Sequence, residues 1–177
     1  MEDLSLHILD IAQNCIDAKA SFIQIRINED NERNELMLEI KDNGTGMDKQ
    51  TLEIIRDPLG TTKKKKFGLG IPLFLQSAEE SGGRIEIQSE INKGTAVKAY
   101  FQLDNIDMKP LGDVAKTLII LIGTNPAIDF YYLHKKNTDE FELDTRELKR
   151  QLDGIPINAP EVMTYIREQL EKWYAKQ

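Results

Sequence analysis

Alternation is the feature that most constrains what this chain can fold into. "SFIQIRI" sets Ile23, Ile25 and Ile27 against Phe22, Gln24 and Arg26, and "ELMLEIK" repeats the pattern after the polar turn "NEDNERN". Such alternation marks strands with one face in a core and the other toward water, and the short polar turn makes the pair a hairpin. "RIEIQSEI" and "TAVKAYFQL", joined by "NKG", form a second alternating hairpin. The segments around them have helical period. Leu4, Ile8, Ile11 and Cys15 give residues 3–19 an apolar stripe. "KQTLEIIRD" is a short helix stopped near Pro58, and "IPLFLQSAEESGG" is an apolar-rich helix ending at Gly82-Gly83. Strands covered on one side need helices on that side. Alternation of this kind fits a sheet covered on one side and partly solvated on the other.

"DNIDMKPLGD" has turn character and sets a boundary near residue 105, dividing the chain into segments 1–105 and 106–177. The second segment reads as a small α+β C-terminal extension. It has a buried helix at "VAKTLIILIG", a hairpin from "DFYYLHKK" and "EFELDT", and a helix at "TRELKRQL" with Asp144 and Glu147 in capping-box spacing. A final amphipathic helix, "EVMTYIREQLEKWYAK", follows, with Asn158 placed to cap it and Pro160 in its first turn.

Charge and composition exclude some functions. A net charge of −7 argues against broad nucleic-acid binding, which depends on neutralising many phosphates. The apolar fraction of 40% is enough for a packed core. The longest purely apolar run, "LIILI", is far too short to span a membrane. The single cysteine, Cys15, forms no intrachain disulfide, and "MEDLSLH" lacks the basic-then-apolar pattern of a signal peptide. The expectation is a soluble cytoplasmic protein with neither a membrane nor a nucleic-acid partner.

Three features stand out as candidate chemistry. His7, Asp10, Asn14 and Asp17 repeat along a second, polar stripe of the first helix. "DNGTGMD" is a glycine-containing loop directly after a strand, and "GTTKKKKFGLGIPL" puts four lysines in an acidic chain just before a helix. There is no GxxxxGK[ST], and Gly44-Thr45-Gly46 lacks the third glycine of GxGxxG. Taken singly, these are a solvated helix face, a strand-ending turn and a charged loop. Their order says more: an acid-and-amide helix, strand–strand–DNGTGM, TTK…GLGIPL opening a helix, then Gly-Gly, a strand and a "KGT" turn.

In that order, over roughly residues 3–104, the sequence resembles the GHKL ATPase superfamily, which includes histidine kinases, anti-sigma-factor kinases, Hsp90, MutL-type proteins and type II topoisomerases. The resemblance implies an α/β two-layer sandwich of the Bergerat (histidine-kinase-like ATPase) form, with a mixed, mainly antiparallel sheet and with ATP or ADP and Mg²⁺ between helices and lid. "DIAQNCIDAKA" matches the family's N-box, so the resemblance makes Asn14 the Mg²⁺ ligand, an oxygen donor of the hard kind this ion takes. Asp42 would accept from the adenine amino group, Gly44 and Gly46 would let the backbone pass close to the base, and Thr95 would support Asp42, directly or through water. The lysine stretch occupies the place of the ATP lid. There Thr62 and Lys63 would meet phosphate, while Gly68, Leu69 and Gly70 would bring backbone N–H groups and a helix start to it. Asp17, Met47 and Phe67 complete the implied nucleotide-binding set.

Asp10 stands where several relatives carry a glutamate that polarises the attacking water or hydroxyl. Aspartate keeps the charge but is one methylene shorter. It serves here either as a general base or only to hold the metal's water shell, and both readings stay open. The N-box begins almost at residue 1, without the helical phosphoacceptor segment of a histidine kinase, and neither His7 nor His134 reads as a phosphoacceptor. The expectation is a regulatory ATP–Mg²⁺-binding protein that phosphorylates or regulates a partner protein in trans, with a homodimer left open. The alternatives are a non-catalytic nucleotide-gated interaction module and a MutL- or Hsp90-like conformational ATPase.

Overall fold

The computed structural model describes residues 3–56 and 70–176. Helix α1 (Leu4–Asp17) begins at Asp3, whose carboxylate accepts the Leu6 N–H at 3.1 Å and the Ser5 hydroxyl at 2.7 Å, satisfying one of the free donors of the first turn. The first hairpin is β1 (Phe22–Asp30) and β2 (Glu35–Asp42). Then come α2 (Lys49–Arg56), α3 (Gly70–Glu80) and the second hairpin, β3 (Arg84–Glu90) and β4 (Gly94–Gln102). The rest is α4 (Val114–Thr124), β5 (Asp129–Lys136), β6 (Asp139–Asp144), α5 (Thr145–Gln151) and α6 (Pro160–Tyr174).

The strands form one six-stranded sheet in the order β3-β4-β2-β1-β5-β6. All pairs are antiparallel except β1 with β5, which is parallel. The register explains the alternation. Ile25 lies opposite both Ile40 and Tyr132, Ile40 opposite Val97, and Leu36 opposite Phe101, and all of these side chains are buried. They form one core with Leu4, Ile8 and Ile11 of α1, Phe74 of α3, Leu118 of α4 and Ile166 of α6. On the other face Arg26 lies opposite Glu39, and Glu39 opposite Lys98, with ion pairs of 3.4 and 3.1 Å. The predicted two-layer α/β sandwich with a mainly antiparallel mixed sheet is the observed fold.

Residues beyond 105 share this core. Helix α4 packs on α1, α6 packs on α4, and β5 extends the sheet along β1. The end of α6 is held by a buried polar network. His134 Nε2 meets Glu29 Oε1 at 2.7 Å, and Trp173 Nε1–H donates to His134 Nδ1 at 3.1 Å. The Tyr132 and Tyr174 hydroxyls lie 2.6 Å apart beside the same ring. An indole N–H only donates, so His134 Nδ1 is the acceptor and Nε2 carries the hydrogen toward Glu29. Burial works against the Glu29 charge, but the bond from His134 and the Lys136 charge keep its carboxyl below the usual range.

Two local expectations are corrected. Asn158 does not cap α6; Ala159 occupies the cap without a side-chain bond, and Pro160 follows it. His7 leaves the polar stripe and is fully buried, its ring 5.3 Å from that of Phe74. Helix α1 is packed from two sides, by α3 and by α4, so its buried face is wider than the apolar stripe alone. Among the described residues neither ring nitrogen of His7 has a hydrogen-bond partner, and burial, then the Lys109 charge, lower its pKa to about 4.

Candidate functional site

A cavity of about 280 Å³ opens between α1, the β2–α2 loop, α3 and the sheet. Helix α1 contributes Ile11, Asn14, Cys15 and Asp17 to its wall, because residues three and four apart share a helix face. Strand β2 contributes Ile40 and Asp42, and β4 contributes Thr95 and Val97. Ile40 and Val97 are cross-strand partners, so the floor is apolar, with Asp42 and Thr95 at one end of it. Ile55 of α2, Ile71 of α3 and Met47 close the apolar side.

The loop after β2 is pinned by its own polar side chains. Asp42 Oδ1 accepts the Gly44 N–H at 2.7 Å, a short-range turn that aspartate readily makes. Asn43 Oδ1 accepts from the backbone N–H groups of Ser21 and Phe22 at 2.9 and 3.0 Å, and its amide donates to the Ser21 hydroxyl at 2.9 Å. The Thr45 N–H reaches the Ala18 carbonyl, tying the loop to the end of α1. Gly46 has φ +64, and a Cβ there would collide with the Glu90 carbonyl. Gly94 has φ +93 and packs equally closely on the Asp42 carbonyl. These two glycines let the loop and the β3–β4 turn come together beneath Asp42.

Of the residues singled out from sequence, Asn14, Asp17, Asp42, Gly46, Met47 and Thr95 line this one cavity. Gly44 sits beside Asp42. Gly70, the first residue of α3, lies against Asp10 and Asn14; a Cβ there would stand 3.2 Å from Asp10 Cβ and 3.4 Å from Asn14 Nδ2. Asp10 is exposed, one turn from Asn14, and is not part of the cavity wall; Asp17 accepts from the Gln13 amide at 3.0 Å. Thr62, Lys63, Phe67, Gly68 and Leu69 lie outside the described residues.

Sequence reasoning missed Cys15, Asn43 and Ser89. Cys15 is buried in the cavity wall, and burial together with the adjacent Asp42 charge pushes its thiol well up, so it is not a nucleophile. Ser89 joins three parts of the wall. It accepts the Met47 N–H at 2.8 Å, donates to the Gly94 carbonyl at 3.1 Å and meets the Thr95 hydroxyl at 2.9 Å. Nothing local marks such a serine, since one of its partners, Met47, is more than forty residues away.

A helix offering Asn14 and Asp17, a braced Asp-Asn-Gly loop and a Gly-Thr turn at the head of β4 thus meet at one cavity. Residues 2–105 match the model of the histidine kinase-, DNA gyrase B-, and HSP90-like ATPase family. The chain belongs to that family. A putative sensor protein of Shewanella frigidimarina is 34% identical over 103 residues, covering 56% of this chain and 16% of that protein. Sporulation kinase C of Bacillus subtilis is 30% identical over 95 residues, covering 54% of this chain and 22% of that kinase. The chain thus spans roughly a fifth of these curated relatives. The MutL ATPase domain of Aquifex aeolicus, solved in complex with ADP, has a similar fold (TM-score 0.54, 18% identity), covering 86% of this chain and 68% of that one. Among the described residues no helix is long and apolar enough to cross a membrane.

Proposed function

We propose that this cavity binds ATP or ADP with Mg²⁺, and that the chain acts as the nucleotide-binding module of a cytoplasmic regulatory kinase that transfers phosphate to a partner protein in trans. The observation that carries the reading is the convergence of Asn14, Asp17, Asp42, Gly46, Met47 and Thr95 on one cavity with an apolar floor. An apolar slot ending in an acceptor such as Asp42 suits a planar base that presents an amino group. Asn14 fits a magnesium ion. It lines the cavity, its side chain makes no hydrogen bond among the described residues, and the start of α3 lies against it. Among the described residues no cluster of three His, Cys, Asp or Glu side chains forms a metal cage. Mg²⁺ commonly rests on one or two protein oxygens plus phosphates and water. When bound, the ion offsets phosphate charge.

Transfer in trans is supported by the two histidines. His7 and His134 are both buried, at 0% and 1% exposure, so neither is accessible to a phosphate donor. An acceptor residue would then lie on another segment or another protein. In this reading residues 1–105 hold the nucleotide, and residues 106–177 brace the same core and offer outer surfaces to a partner. The position of Asp10 favours a second reading, a nucleotide-gated module without turnover, because that carboxylate lies outside the cavity wall.

Calorimetric titration of ADP and ATP with and without Mg²⁺, on the parent and on Asn14→Ala, tests the first claim. Metal-dependent binding by the parent that Asn14→Ala lacks is expected; no binding by the parent rejects the reading. Labelled ATP with candidate partners tests transfer, and an Asp10→Ala variant with unchanged turnover would remove Asp10 from the chemistry.

A further inference from the structure

Ser89 has one hydrogen and two lone pairs, and its three neighbours account for all of them. The Met47 N–H can only donate, at 2.8 Å, and the Gly94 carbonyl can only accept, at 3.1 Å. Ser89 therefore spends its hydrogen on Gly94 and has one lone pair left for Thr95, 2.9 Å away. All three contacts are satisfied together only when the Thr95 hydroxyl donates to Ser89. That fixes the polarity of Thr95: its one hydrogen points at Ser89, and it retains only lone pairs for anything in the cavity it lines. Asp42, lining the same cavity, is an acceptor as well, with Oδ1 already taking the Gly44 N–H. Two acceptors on one wall make that end of the cavity a receiver of hydrogens.

We propose that Ser89 is a specificity-determining positioning residue, which locks Thr95 as an acceptor and so sets the cavity in favour of a 6-amino purine over a 6-keto purine. The proposal rests on the nucleotide-binding reading above. A 6-amino group offers two hydrogens to the Asp42–Thr95 pair. A 6-keto oxygen sets a lone pair against lone pairs, and a buried acceptor left without a donor costs more than a missing contact. If the Thr95 hydroxyl were free to rotate, it would offer its hydrogen to the keto group and blunt the discrimination. Ser89 sits on the sheet-edge strand β3, reaching the wall from behind, so it acts through Thr95 and does not itself line the cavity.

The test compares ADP with inosine diphosphate, which carries the 6-keto group, by calorimetric titration on the parent, Ser89→Ala, Ser89→Thr, Thr95→Val and the double variant Ser89→Ala/Thr95→Val. The parent is expected to prefer ADP. Ser89→Ala should lower the ratio of the two affinities about fivefold to tenfold, the worth of one buried hydrogen bond of fixed direction, and Ser89→Thr, which keeps the hydroxyl, should restore it. In the Thr95→Val background Ser89→Ala should change the ratio no further. An unchanged ratio in Ser89→Ala overturns the proposal. So does a loss that persists undiminished on Thr95→Val, since that would be general damage to the wall, and so does a parent that binds both nucleotides equally. Should Ser89→Ala fail to give a cooperative melt, Ser89→Cys, with a weaker acceptor of similar size, must show an intermediate ratio or the proposal falls. A parent that binds neither nucleotide instead rejects the underlying nucleotide-binding reading.

Discussion

Acid should unfold this protein partly through His7, and replacing that residue should remove a defined part of the pH dependence. His7 is fully buried on α1 against α3, without a partner on either nitrogen among the described residues, and its pKa is lowered from 6.5 to about 4. Above about pH 6.5 the ring is neutral in both the folded and unfolded chain, and protonation contributes nothing to stability. As the pH falls from there toward about 4, the unfolded chain takes up a proton that the folded chain refuses, so stability declines; below about 4 both states are protonated and the decline stops. The gap of about 2.5 pH units, at about 1.4 kcal/mol each, caps the effect at about 3.5 kcal/mol. Urea unfolding of the parent and of His7→Leu at about pH 7 and about pH 4.5 measures it. The carboxylates titrate in both proteins and cancel in the comparison, leaving the parent with an extra loss of about 2.5 kcal/mol. At neutral pH the leucine also removes two buried polar atoms without partners, so the variant should be no less stable. Parallel stability–pH curves for the two proteins would refute the argument, because the folded ring would then take up its proton as readily as the unfolded one.

Three further outcomes follow from the packing. Gly46→Ala puts a side chain at φ +64 against the Glu90 carbonyl, so thermal melts should show a loss of at least about 1–3 kcal/mol together with loss of ADP binding; a variant that melts and binds like the parent would contradict the close approach. Trp173→Phe keeps the aromatic pairing with Phe141 but removes the donor to His134 Nδ1, costing about 1–2 kcal/mol, whereas Trp173→Ala, which also leaves a cavity, should cost about 3–5 kcal/mol; a Trp173→Phe variant as stable as the parent would mean the bond carries nothing. A chain ended after residue 105 strips β5, α4 and α6 from a shared core that includes Leu118, Phe130 and Ile166, so it should lose its cooperative melt, and a truncated chain binding ADP with parental affinity would show that the first segment stands alone.

Most of the individual elements were legible because each has a local cause. Alternation announced β1 to β4, and helical spacing announced α1, α3 and α6. The Asp-Asn-Gly and Lys-Gly-Thr stretches marked both loops at the cavity, and six of the residues picked from sequence meet there. What was not legible depends on partners distant in sequence. A hairpin signal speaks only for neighbouring strands, so it could not say that β5 would lie parallel to β1. Ser89 reads as an ordinary polar residue of an edge strand, and Asn43 as an ordinary turn residue. Their roles appear only when Met47 and Ser21 arrive beside them. His7 was misplaced for a similar reason: spacing locates a stripe, but the number of helices packed on α1 decides how wide the buried face becomes.

The distant partners also join the C-terminal segment to the loop that follows Asp42. The start of β1 is gripped from two sides. On one side Asn43 of the cavity loop accepts from the Ser21 and Phe22 N–H groups. On the other, the Asp129 N–H at the start of β5 donates to the Ser21 carbonyl at 2.9 Å, and the Arg146 guanidinium of α5 lies 4.2 Å from the centre of the Phe22 ring. Asp129 is in turn held by Lys149 of α5 at 2.7 Å, and Arg146 by Asp144 at 2.6 Å. Phe22 is thus a joint: its backbone holds the loop that follows Asp42, and its ring carries a cation from the C-terminal segment. The C-terminal segment and the loop after Asp42 thus meet at two adjacent residues, Ser21 and Phe22.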